Sequence, residues 1–470
     1  MTELLSEALV FPKDFMWGTA TSSHQVEGEN RLNDWWAFEQ RPGNIYDGSI
    51  SGQACDHYKL YKSDIDLLKS LHQNAHRISL EWSRIEPEEG KFDSSAIAHY
   101  RDVLETLKAN GIEPLLTIHH FTNPLWLAAK GAWENREVIS YFKRFTELVA
   151  REYGDIVRYW VTINEPMVYA FMGYMLLHWP PSRSRPDLGF ASAANMMRAH
   201  AVAYEVLHTR TRIKPEVGIA HNMRIFDPAN EHSFLDRKVA AWQDYLFNEL
   251  IISALAESRL RLPLGYEILA GGAKLADFIG LNYYSRDLVA FDLRSVATFF
   301  GRNFPSPDAE LSLFGWEIYP KGLYRMVKRL SKYNLPILIT ENGFPDETDE
   351  QRPRALLDHL IELQRAIKEG IDIRGYFHWS FIDNFEWAEG YRTPFGLVAV
   401  DFSTQKRTVK NSGQLYKEIC RTGTITPEMQ VSVKGRSDKP RQHLNLYGKR
   451  IDYVNNYAPT GDSGRDKRGS

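Results

Sequence analysis

The chain has 470 residues, 43% hydrophobic and 25% charged, enough for one large core or two to three ordinary ones. A formal net charge of −3 excludes the strongly basic face of a nucleic-acid binder, and no run of about eighteen apolar residues marks a membrane span. The only cysteines, Cys55 and Cys420, have neither a metal-like nor a redox-like spacing, so no disulfide framework is expected and a reducing compartment fits.

Residues 1–13 carry Glu3 and Glu7 but no basic segment leading into a long apolar stretch, so we expect no secretory leader and a cytoplasmic protein. Apolar strand-like runs then recur at residues 15–21, 75–81, 113–119, 158–164, 217–222, 277–283, 336–340 and 373–379. Helical segments separate them; residues 65–71 and 141–153 show apolar returns at three and four residues. Eight βα units predict a (β/α)8 TIM barrel of class α/β, a single catalytic domain over residues 1–421. From Thr422 the texture changes to Gly, Pro, Ser, Asp and Lys, with nine Lys+Arg against five Asp+Glu over 422–470. That stretch reads as a polar tail, solvated or wrapped on the surface, rather than as a functional basic arm.

Two of these runs end alike. Thr162-Ile163-Asn164-Glu165-Pro166 and Ile339-Thr340-Glu341-Asn342-Gly343 each place a glutamate beside an asparagine at a strand end. A single such glutamate is more often a solvated or salt-bridged strand terminus than a catalyst. Two of them converge only if distant strands end on one rim, which is what a parallel β/α barrel does. Paired carboxyls facing one bond suit acetal cleavage, one protonating the leaving oxygen and one stabilising or capturing the oxocarbenium-like carbon. The 13% aromatic content adds ring faces that suit the apolar side of sugars, although most aromatics must be core. His119 and His120 are successive on a strand and point to opposite faces, and a strand boundary separates His72 from His76, so neither pair reads as a metal site.

The resemblance becomes specific in longer strings. Phe15-Met16-Trp17-Gly18-Thr19-Ala20-Thr21-Ser22-Ser23-His24-Gln25-Val26-Glu27-Gly28, the two glutamate motifs, and Trp379-Ser380-Phe381-Ile382-Asp383-Asn384-Phe385-Glu386-Trp387 resemble glycoside hydrolase family one, the β-glucosidase family. The likeness runs in order from about Phe11 to Ile419. It implies a retaining mechanism with no metal and no organic cofactor, acting on β-glycosides or short oligosaccharides, and it leaves a homo-oligomer open. On it Glu165 matches the acid/base and Glu341 the nucleophile, with Arg77 and Tyr284 supporting the nucleophile. Sugar contacts fall on Gln25, His120, Asn164, Asn282, Tyr284, Trp379, Glu386 and Trp387. Trp316, in Gly315-Trp316-Glu317-Ile318-Tyr319-Pro320, matches the platform for the leaving group. For Arg77 a barrel-floor ion pair competes evenly with the site role. The string His120-Phe121-Thr122-Asn123 departs from the Trp and Asp that many members carry after this histidine, which bears on loop geometry and sugar ranking.

The alternatives are a 6-phospho-β-glycosidase, in which Glu386 and Glu389 would repel a phosphate, and a non-catalytic sugar-binding protein on the same barrel. Loss of either glutamate would favour the latter, and both are present.

Overall fold

The computed structural model describes residues 5–434. Eight strands form a closed parallel barrel: β1 (Met16–Ala20), β2 (Ala75–Ser79), β3 (Glu113–His119), β4 (Tyr159–Asn164), β5 (Glu216–Pro228), β6 (Ile279–Phe291), β7 (Ile337–Asn342) and β8 (Ile373–Trp379). All eight expected strands are there. The register closes on itself: Ala20 pairs with Arg77, Arg77 with Leu115, Asn164 with Ala220, His221 with Leu281, Leu281 with Ile339, and Trp379 with Ala20.

Alternation along the strands divides two kinds of packing. Inside the barrel, Ala75, Leu115, Val161, Ala220, Leu338 and Phe377 share one buried cluster with Phe278. Bulky rings fit there because the neighbouring strand is glycine: a Cβ on Gly18 would lie 2.6 Å from the Ala75 carbonyl oxygen and 2.7 Å from the Phe377 ring. Outward-facing Leu116, Ile118, Trp160 and Ile163 pack against the helices instead. The helix Val138–Tyr153 shows how these are held: Val138, Phe142, Phe145, Val149 and Tyr153 recur on one face and are buried. Each of its phenylalanines contributes on the order of 1.5–3 kcal/mol by burial. The long helix between β1 and β2, His57–Ser70, starts well before the expected segment at 65, because its first two turns carry mostly polar residues.

Two expectations need correction. β5 and β6 run well beyond 222 and 283; past the barrel rim Ile225 pairs with Arg286 and Asp227 with Leu288, and the strand Gly301–Phe304 adds antiparallel to β6. Above the rim one face of this ribbon is no longer core, so the apolar run fades while the backbone ladder continues. The polar tail also begins later than 422. Thr424–Ile425 pairs antiparallel with Leu9–Val10, Pro427–Lys434 is helical, and the Leu5 amide donates to Gln430 Oε1 at 2.7 Å. Buried Ile425 and Val433 anchor a piece too short for its periodicity to show in the sequence. The remainder of the tail, 435–470, lies outside the described residues. Cys55 and Cys420 form no disulfide.

Candidate active site

β4 ends at Asn164, and the next residue turns the chain sharply. Glu165 takes a left-handed conformation (φ +48°) uncommon for a residue with a Cβ, its amide donating to the Ala220 carbonyl at 2.8 Å. Pro166 then opens the helix Pro166–Tyr174, its fixed φ suiting the first helical position. The carboxyl projects into the barrel mouth, where Oε1 accepts from Asn282 Nδ2 at 2.7 Å and Asn222 Nδ2 at 3.0 Å. Burial and the nearby Glu341 carboxyl push its pKa up to about 8 in spite of those two donors.

Glu341 lies near the end of β7 on the same rim. Arg77 from β2 donates to its Oε1 and the Tyr284 hydroxyl to its Oε2. Burial raises the Glu341 pKa as well, but Arg77 and Tyr284 oppose the rise at this carboxyl. A full guanidinium touches Glu341 and only neutral amides touch Glu165, so the first of the pair to ionise is Glu341. Asn282, which donates to Glu165 Oε1 at 2.7 Å, also helps to lower the Glu341 pKa.

Arg77 is fully buried and spans the site rather than serving the barrel floor. Its second amino group donates to Asn164 Oδ1 at 2.7 Å, and its Nε to Thr117 Oγ1 at 3.1 Å. Asn164 Nδ2 pairs in turn with His120 Nε2 at 3.2 Å. His120 is held neutral, its pKa pushed well down by burial and by Arg77, and it lies between two roughly parallel indoles, Trp379 at 6.0 Å and Trp387 at 6.1 Å. One connected network therefore fixes the Glu341 carboxyl, the asparagine beside Glu165, and the imidazole.

A cavity of about 280 Å³ opens over these groups, lined by Glu165, Glu341, Asn164, His120, Tyr284, Trp316, Trp379, Glu386 and Trp387. Glu386 is pushed up to about 8 by burial and by Glu341 and Glu389. Gln25 and Asn282, expected as sugar contacts, are fully buried and stand outside the cavity wall. Gln25 Nε2 donates to Glu386 Oε2 (3.2 Å), Asn384 Oδ1 (3.0 Å) and the Phe385 carbonyl (3.0 Å), so it braces the loop that presents Glu386. Asn282 braces the carboxyl pair. Trp316 stands apart from the catalytic pair, 5.6 Å from the Tyr284 ring and 4.7 Å from Phe314.

The sequence reading missed Asn222, which touches Glu165, and Arg224 and Asp287, which line the outer cavity. Asn222 carried a faint signal as the last residue of an expected strand; the other two lie on the ribbon above the rim. Among the described residues no cluster of three or more His, Cys, Asp or Glu could hold a metal ion.

With this geometry in place, comparison with known proteins gives one answer. The pattern of Glycosyl hydrolase family 1 matches residues 7–257 and 265–424. The chain is 36% identical over 444 residues to β-glucosidase A of Thermotoga maritima, covering 88% of this chain and 98% of that protein. It is similar in structure to a β-glycosidase from Pyrococcus horikoshii, with 42% identity, a TM-score of 0.85, and 91% and 98% of the two chains covered. A Thermotoga maritima β-glucosidase in complex with galacto-hydroximolactam superposes with a TM-score of 0.83 at 34% identity, over 88% and 99% of the chains.

Proposed function

The chain belongs to glycosyl hydrolase family 1, and on that premise we propose that it is a retaining β-glucosidase in which Glu341 is the nucleophile and Glu165 the acid/base. The observation that carries the assignment is the pair of buried carboxyls on one rim in opposed surroundings, Glu341 against Arg77 and Tyr284, Glu165 among neutral amides. Retention requires the two carboxyls about 5–5.5 Å apart, too close for a water between sugar and base.

Glu341, ionised, attacks the anomeric carbon while Glu165 gives its proton to the departing oxygen. The Tyr284 hydroxyl and Arg77 hold the attacking carboxylate in one rotamer, so little reorganisation is needed on the way to the covalent glycosyl-enzyme. Glu165, now ionised, takes a proton from water, and that water displaces Glu341 with the β configuration restored. His120, Asn164, Tyr284, Trp379, Glu386 and Trp387 bind the sugar, while Gln25 and Asn282 hold its contacts in place and Trp316 takes the leaving group.

The substrates in this reading are small β-glycosides and short oligosaccharides, with glucosides first and galactosides or fucosides second. A phosphorylated sugar is disfavoured because no lysine lines the described cavity and Glu386 stands where a phosphate clamp would be needed. The reading includes a cytoplasmic setting, supported by two unpaired cysteines and by the absence, among the described residues, of a helix long and apolar enough to cross a membrane. It treats the chain through Lys434, held by the pairing of Thr424–Ile425 with Leu9–Val10, as the catalytic unit and the terminal basic segment as accessory.

The test uses leaving groups. In Glu165→Ala, cleavage of cellobiose should collapse by several orders of magnitude, whereas glycosylation by an aryl glucoside with an acidic phenol should survive far better, since that phenol needs no proton. Azide should then restore turnover and yield β-glucosyl azide. Equal losses on both substrates without azide rescue, in a folded variant, would remove Glu165 from the acid/base role.

A further inference from the structure

Above the catalytic pair, part of the cavity wall is built by β5 and β6 where they run past the rim. Side chains alternate along β5: Met223 and Ile225 are buried in the core, while Asn222, Arg224 and Phe226 are half-buried and line the cavity. Asn222 touches Glu165, and a rise of about 3.3 Å per residue puts Arg224 about 7 Å farther out on the same face of the strand. Among the described residues that line the cavity, Arg224 is the only lysine or arginine.

Its guanidinium is held at one corner and open at the others. Nε lies 2.7 Å from Asp287 Oδ2 on the neighbouring strand β6, and the guanidinium carbon lies 5.6 Å from the centre of the Trp316 ring. The two amino groups have no partner among the described residues, and the side chain is 24% exposed. The polar groups beside it are spent on one another: Asn303 Nδ2 donates to Asp287 Oδ2 at 3.2 Å, Gln243 Nε2 donates to Asn303 Oδ1 at 2.9 Å, and the amide oxygen of Gln243 is sealed from solvent. An anion arriving there does not face bare negative charge. Asp287 is shared between Arg224 and Asn303, Glu341 is held by Arg77, and Glu165, pushed up to about 8, is neutral when it meets a substrate. Two coplanar amino groups side by side match the two oxygens of a carboxylate.

We propose that Arg224 reads a carboxylate on the leaving group, so that β-glucosides of carboxylated phenols, of which 4-carboxyphenyl β-D-glucoside is the simplest, are preferred over their uncharged counterparts. The inference rests on the β-glucosidase reading above and names its substrate class. With the phenolic oxygen at Glu165 and the ring along Trp316, a para carboxylate stands one ring's breadth farther out, which matches the offset of Arg224 from Asn222. The contact is made before the glycosidic bond breaks and persists while it does, so it acts chiefly through KM.

The experiment compares kcat/KM for phenyl, 4-carboxyphenyl and 4-(methoxycarbonyl)phenyl β-D-glucosides, with cellobiose alongside, at about pH 6, where the benzoate is ionised and Glu165 holds its proton. The wild-type protein should favour the acid over its methyl ester, although the ester departs as the more acidic phenol. Arg224→Gln should lower the 4-carboxyphenyl-to-phenyl ratio by about tenfold or more, the scale of hydrogen bonds to a charged group, and mainly through KM. Arg224→Lys, which keeps the charge but not the fork, should lose less. Each ratio is taken within one protein, so a general loss of activity cancels, and the acid-over-ester preference is read without either variant. A wild-type preference for the ester, or a ratio unchanged in Arg224→Gln, overturns the inference while leaving the β-glucosidase reading intact. Failure to cleave phenyl β-D-glucoside and cellobiose overturns that reading and the inference with it.

Discussion

Replacing Glu341 by Gln keeps the size and shape of the side chain while removing one negative charge from beside Glu165. Glu341 is the second cause, after burial, of the raised Glu165 pKa. At the separation of about 5–5.5 Å that a retaining pair requires, and an effective dielectric constant of about 20, the repulsion removed is about 3 kcal/mol. That corresponds to about two pH units, so Glu165 should titrate near 6 in the variant instead of about 8. Arg77, left without its carboxylate, acts in the same direction. Carboxyl-13C glutamate labelling reads this directly, with the Glu165→Gln, Glu341→Gln double variant subtracted as a blank. In the wild-type enzyme the same coupling should appear as a fall in kcat/KM on cellobiose as pH rises through about 8, since the proton that Glu165 must donate is then lost. A Glu165 that still titrates at or above 8 in Glu341→Gln would refute electrostatic coupling and leave burial as the sole cause.

Asn222→Leu removes a donor to ionised Glu165, worth on the order of 1.5–3 kcal/mol, so the alkaline limb of kcat/KM should move up by about one to two pH units; a limb that stays in place or moves down contradicts the Asn222 contact. Glu386→Ala should lower kcat/KM on aryl glucosides by about 2–4 kcal/mol, more through kcat than through KM, because its hydroxyl contacts tighten at the transition state; unchanged kcat/KM would exclude it from sugar binding. Arg352 is fully buried, paired with Asp349 at 2.6 Å and donating to the Asp346 and Pro394 carbonyls. Arg352→Ala should therefore cost about 3–5 kcal/mol by chemical denaturation, through uncompensated buried acid and carbonyl groups; a loss under 1 kcal/mol would show that water replaces it.

The sequence by itself determined the barrel and placed the two rim glutamates, because both are written locally. Eight apolar runs of strand length with helical segments between them allow few other closures, and Glu165 and Glu341 each stand at the end of such a run. The same holds for Trp379, Glu386 and Trp387, which one short string places at the end of β8 and on the loop that follows it. What the tertiary structure decided lies between elements distant in the chain. Arg77 was undecided until β2 and β7 were set across the barrel mouth, where a single guanidinium reaches both Glu341 and Asn164. Gln25 and Asn282 could be matched to sugar binding by likeness, yet only packing showed that each is fully buried with its hydrogen bonds turned toward Glu386 and toward the carboxyl pair. Arg224 and Asp287 lie on a ribbon above the rim, where backbone pairing rather than side-chain burial sustains the strands, so no apolar period betrays them. Hydrophobic periodicity reports which residues leave water; it carries no record of which polar groups meet once they have.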